Sequence, residues 1–202
     1  MSKPQSRGIA AGTMLVVALL LAAGPARADK CTSLKLKAIG KKEAGLLTCQ
    51  SKVAQRGDTS ILMACENKVV AKFTASFGKS GTCTGVQADS ETIADDCRDK
   101  VRAALPDGTT TASKCEAKRL KAAGTKAEKE LLCYSAAAKK GVAVDGACLG
   151  KASVQFGKSF GSVTGCTGDG QTTSVETTID TECVTQHVVT LAVCGNMNVD
   201  NG

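Results

Sequence analysis

The sequence predicts an all-α protein of two tandem modules, each an antiparallel helical hairpin laddered by disulfides and followed by a third helix. Three observations carry this expectation. Cys31, Cys49, Cys65, Cys83 and Cys97 recur as Cys115, Cys133, Cys148, Cys166 and Cys183, at offsets of 84, 84, 83, 83 and 86 residues. Cys31 and Cys49, Cys65 and Cys83, Cys115 and Cys133, and Cys148 and Cys166 stand 18 residues apart, five turns of α-helix, so both members of each pair lie on one face about 27 Å apart. The stretches that hold them are rich in Ala, Leu, Lys and Glu with no internal Pro, which favours helix.

The first helix of each copy is expected over 31–55 and 115–139, the second opened by Ser113 and Glu116 as a capping box. Gly57 ends the first and Gly141 the second, and Asp58 and Asp145 are candidate N-caps of the return helices. Along the return helix over 59–80, Cys65, Val69, Phe73 and Phe77 step by four. All four Phe recur in register, since Phe156 and Phe160 follow Cys148 as Phe73 and Phe77 follow Cys65, by eight and twelve residues. Ile93, Cys97, Val101 and Leu105 form a stripe on a third helix behind Asp89, Glu91, Asp95 and Asp96. Ile179, Cys183, His187 and Leu191 take the same register in the second copy. Val and Thr crowd that segment and leave a strand open, but likeness to the first copy favours helix.

The cysteine spacing is concentric about each turn. Residues 31 and 83 share a midpoint with 49 and 65, at Gly57, and 115 and 166 share one with 133 and 148, beside Gly141. Four cysteines allow three connectivities. Helix geometry selects Cys31–Cys83, Cys49–Cys65, Cys115–Cys166 and Cys133–Cys148. Cys97 and Cys183 are left over and are expected to bridge each other, with Cys183–Cys194 as the other option. Such bridges compensate cores thin in aromatic bulk, each by about 2–4 kcal/mol.

The chain of 202 residues divides into a signal segment over 1–28, module 1 over 29–105, a linker over 106–112, module 2 over 113–193 and a tail over 194–202. Lys3 and Arg7 precede an apolar run over 10–23, and Ala26-Arg27-Ala28 supplies a small-x-small cleavage site. That run is short for a membrane span, so no stable span is expected after cleavage. The address is secreted, periplasmic or cell-surface. Its oxidising chemistry makes the cysteines disulfides rather than metal ligands. The formal charge of +7 falls to +4 without the signal segment, and is read as solvated Lys-rich helix faces rather than a nucleic-acid footprint.

A hairpin closed by two symmetric disulfides resembles the twin Cys-x9-Cys, coiled-coil-helix proteins in architecture, although the arms here are Cys-x17-Cys. The duplicated unit over 31–193 also resembles uncharacterised Ala- and Lys-rich repeats of exported deltaproteobacterial proteins. The tail from Cys194 to Gly202, Cys-Gly-Asn-Met-Asn-Val-Asp-Asn-Gly, is similar to the start of a Cys-rich repeat of myxobacterial surface proteins. That likeness implies a longer protein and a partner for Cys194 outside this chain; otherwise Cys194 is unpaired or intermolecular.

Catalytic chemistry is scarce. Aromatics make up 2% of the chain, Trp is absent, and there is one His. There is no Cys-x-x-Cys, haem motif or phosphate loop. His187 stands where the first copy has Val101, which reads as a half-buried, tolerated imidazole rather than a base. Cys183 and His187 are only two metal ligands, too few for a structural zinc. Asp95-Asp96 lies at a solvated helix start, and Asn196, Asn198 and Asp200 lack the closing Glu of a calcium loop. No catalytic, cofactor or metal residue is therefore expected.

The leading functional expectation is a non-enzymatic exported structural or interaction module, a spacer or scaffold with an unidentified protein or surface partner. One alternative is a carrier of a lipid or small apolar ligand, which an apolar pocket between Phe73, Phe77 and the first helix favours. Another is a thiol-based Cu(I) store, which oxidised cysteines disfavour.

Overall fold

The structure is a computed structural model that describes residues 29–81, 85–105, 113–162 and 171–192. The signal segment, the linker, the tail, and Cys83, Cys166 and Cys194 lie outside the described residues. In chain order the elements are α1 (Lys30–Arg56), α2 (Leu62–Gly78), α3 (Gln87–Ala103), α4 (Lys114–Lys140), α5 (Gly146–Gly161), α6 (Thr172–Thr178), a π-helical segment (Ile179–Thr185) and α7 (Gln186–Ala192). The protein is all-α. The Val- and Thr-rich final segment is helical despite its β-branched content, because its stripe of Val175, Ile179, Cys183 and Leu191 is buried in the common core.

Local chemistry sets the ends of the two long helices. Asp29 Oδ1 accepts from the amides of Cys31 at 2.8 Å and Thr32 at 3.2 Å, and Ser113 Oγ accepts from the Glu116 amide at 3.1 Å. Gly57 and Gly141 close α1 and α4 in the left-handed region, at φ 67° and 65°, where a side chain would be strained. The return helices differ from expectation at one end. Asp145 caps α5 by accepting from the Ala147 amide at 2.9 Å. Asp58 instead accepts from the Ser60 amide at 2.8 Å, closing a turn, and α2 starts only at Leu62.

The organising contact is one that the cysteine spacing does not reveal. α1 and α4 pack antiparallel along their lengths, and two pairs of bonds between them are images of each other at an offset of 84 residues. The Asp29 amide donates to Ala138 O at 2.8 Å, and the Ser113 amide donates to Ala54 O at 2.6 Å. Ser135 Oγ donates to Ser33 O at 2.8 Å, and Ser51 Oγ donates to Ala117 O at 2.6 Å. The two helices come close at two glycines. A Cβ on Gly40 would lie 3.2 Å from the Glu128 Cα, and one on Gly124 would lie 3.1 Å from the Ala44 Cα. The long helices are thus related to each other by a pseudo-twofold axis.

α2 flanks α1 and α5 flanks α4, each contributing a buried Phe pair with ring centroids 5.1 Å and 5.0 Å apart. Most described lysines are exposed, as expected of solvated faces, but four basic residues differ. Lys35, Lys42, Arg119 and Lys126 are buried, not solvated. Their cations lie over Phe77, Phe73, Phe160 and Phe156 at 4.8, 5.2, 5.1 and 6.0 Å. With few aromatics available, long basic side chains fill the space between helices while the rings hold their charge, each contact contributing about 0.5–2 kcal/mol.

Candidate functional site

Three features have chemistry: a buried joint between the halves, a lysine cage, and a cleft between α1 and α2. The joint forms where α3 and the π-helical segment meet over α1. Cys97 and Cys183 are joined there, with Cα atoms 4.9 Å apart, across 86 residues of chain. The hairpins are tied by Cys49–Cys65 and Cys133–Cys148, with Cα separations of 5.7 and 5.9 Å. Cys31 and Cys115 are disulfide-bonded as well. Their expected partners, Cys83 and Cys166, fall outside the described residues, as does Cys194.

Beside the Cys97–Cys183 bridge lie two ionisable groups with no solvent access. His187 on α7 and Glu43 on α1 are each 0% exposed, and His187 Nε2 approaches Glu43 Oε1 to 3.0 Å. The approach is off the line of the ring N–H, so it is a close polar contact rather than an aligned hydrogen bond. Burial pushes the Glu43 carboxyl up, against the pull of His187 and Lys42. The half-buried His187 expected from sequence is therefore corrected: this imidazole is in the core.

Glu43, Cys97 and Cys183 each offer a potential ligand atom within 4.8 Å of the others. The two sulfurs are spent on each other, and a disulfide is not the thiolate that binds a metal or attacks a substrate. With no open face, the joint is suited to holding three elements together. Sequence reasoning singled out His187 but missed Glu43. The available signal was a mismatch between copies, because Glu43 and His187 occupy the positions of Ala127 and Val101.

The second feature centres on Lys126. Its ammonium lies 2.6 Å from Glu130 Oε1 and 3.5 Å from Glu176 Oε1, and it also contacts Asp180. One cation cannot neutralise three carboxylates. Glu130 is the most buried of them, and its carboxyl is pushed up to about 7, chiefly by desolvation. Lys42, the counterpart of Lys126, has a sparer arrangement, 3.7 Å from Asp95 and donating to Glu91 O at 3.1 Å. Asp95 is half exposed there, but it lies in the middle of α3 (Gln87–Ala103) rather than at the helix start read from sequence, because the helix begins eight residues earlier.

The third feature is a cleft of about 410 Å³ between α1 and α2. Gly45, Val69 and Phe73 form its apolar wall, and Lys41, Lys42 and Lys72 its basic one. Gly45 lets α2 come close, since a Cβ there would lie 2.8 Å from Val69 Cγ1. No carboxylate lines the cleft.

No family model, curated protein or solved structure matches this chain. Among the described residues, no helix is long and apolar enough to cross a membrane.

Proposed function

We propose that this chain is a non-enzymatic, exported structural or interaction module, a disulfide-tied spacer or scaffold. The observation that carries this reading is the Cys97–Cys183 bridge, which fastens the two halves covalently beside the buried Glu43–His187 contact and leaves no open chemistry at their joint. The eight described cysteines are all in disulfides, which counts against a thiol-based copper store. An oxidising compartment is the natural setting for such a chain.

The test is alkylation of the exported protein with and without reductant, followed by intact mass and peptide mapping. Ten oxidised cysteines, with Cys97 mapped to Cys183, are expected. Protease resistance should be lost when that bridge alone is removed as Cys97→Ala/Cys183→Ala. Mostly free thiols would sink the reading, and so would a turnover activity abolished by His187→Val.

A second reading, a carrier of a lipid or small apolar ligand, is supported by the cleft against Phe73. That cleft shares Phe73 and α1 with the pocket the sequence argument expects, although Phe77 does not line it and three lysines do, and its volume is within the range of small-molecule sites.

A further inference from the structure

The two halves of the molecule serve as controls for one another, and the cleft is one place where their chemistry differs. Positions on α1 correspond to α4 at an offset of 84, and positions on α2 to α5 at 83. Phe73 corresponds to Phe156 and Lys42 to Lys126, so the cation–ring contact beneath the cleft is common to both halves. The rest is not shared. Thr125 and Gln155 stand where the first half has Lys41 and Lys72. Lys129 stands where the first half has Gly45, and its ammonium donates to Gln155 across the α4–α5 groove.

The first half therefore gathers cations at a groove that the second half bridges with a lysine–amide bond. Lys42 is engaged with Asp95, Glu91 O and the Phe73 ring. Lys41 and Lys72 are exposed, and among the described residues neither has a carboxylate partner. Two solvated ammonium groups at the rim, above a wall of Val69 and Phe73, match a ligand with one anionic end and an apolar body.

We propose that the α1–α2 cleft binds a single-chain anionic amphiphile, an acyl chain with a carboxylate head. The chain lies against Val69 and Phe73, and the head sits between Lys41 and Lys72. This rests on the carrier reading and narrows it to one ligand class and to one half of the molecule.

The experiment is calorimetric titration of the full mature, oxidised protein with dodecanoate, below its micelle concentration, and with dodecanol as the neutral match. One molecule of dodecanoate should bind per chain, and shortening to decanoate should weaken binding roughly tenfold, about threefold per methylene. Lys41→Thr/Lys72→Gln, which copies the second half, should weaken dodecanoate binding at least tenfold while leaving the circular dichroism unchanged. Ser76→Trp, a change at an exposed residue lining the cleft, should abolish it by filling the space.

Equal binding of dodecanol, unaffected by the lysine changes but lost in Ser76→Trp, would overturn the anionic assignment and leave the carrier reading standing. No binding of either compound would remove both. Binding that survives Ser76→Trp would place the ligand elsewhere and overturn the assignment. Affinity for anionic vesicles without affinity for monomeric dodecanoate would point to a membrane surface instead and overturn it as well.

Discussion

His187 Nε2 lies 3.0 Å from Glu43 Oε1 in the core, in a chain that otherwise has apolar residues at the matching positions, Val101 and Ala127. Burying two ionisable groups costs several kcal/mol, and their mutual attraction offsets that cost only while both are present. The pair sits against the bridge that joins the halves, where a mismatched neighbour would leave a buried polar group without a partner. It favours one docking of α7 on α1 over others.

His187→Val alone should therefore destabilise the protein by about 3 kcal/mol, because it strands the Glu43 carboxyl. Glu43→Ala/His187→Val, which reproduces the apolar pair of the other half, should recover most of that loss. Urea melts of both single variants and the double give the coupling directly. Additive losses would mean that the two residues do not form a pair.

The glycines of the long helices should respond to alanine with opposite sign from those of α5. Gly40→Ala and Gly124→Ala place a Cβ 3.2 and 3.1 Å from backbone of the facing helix, where neither side yields easily. Each should cost about 1–3 kcal/mol despite the better helix propensity of Ala. Gly150→Ala meets nothing within 4 Å and should stabilise by about 1 kcal/mol. Thermal melts decide it, and stabilisation at Gly40 would refute the close approach.

Glu130 should make stability depend on pH near neutrality. Its carboxyl is pushed up from 4.5 to about 7 by burial, so the folded state holds a proton that the unfolded chain has already released. This group's contribution to stability therefore falls as pH rises from about 4.5 through 7 and is level above that, by linkage. The change is on the order of 2–3 kcal/mol. Glu130→Gln should flatten that part of the profile. Urea melts from pH 4.5 to 8 on both proteins test it, and identical slopes would refute the shift.

Much of the architecture is legible in the residues. The 18-residue cysteine spacing, the cap at Ser113 and the left-handed Gly57 and Gly141 are local signals. Local signals survive folding because they act over one or a few helical turns. The start of α2 was less legible. Asp58 finds a nearer partner in the Ser60 amide, so the nominal cap closes a turn instead. The depth of Lys35, Lys42, Arg119 and Lys126 was hidden for another reason. A lysine reads as solvated unless the ring that will cover it is known, and those rings come from α2 and α5.

By itself, the amino-acid order determined that this protein is helical, duplicated in pattern and rich in cysteines placed to face one another, because helix period and chain spacing are properties of neighbours. Only tertiary packing decided which helices form the centre. α1 meets α4 through Gly40 and Gly124, and that meeting brings Glu43 to His187 beside Cys97–Cys183. Contacts between residues so far apart in the chain depend on shape complementarity between whole helix faces, a quantity that no single stretch of sequence contains.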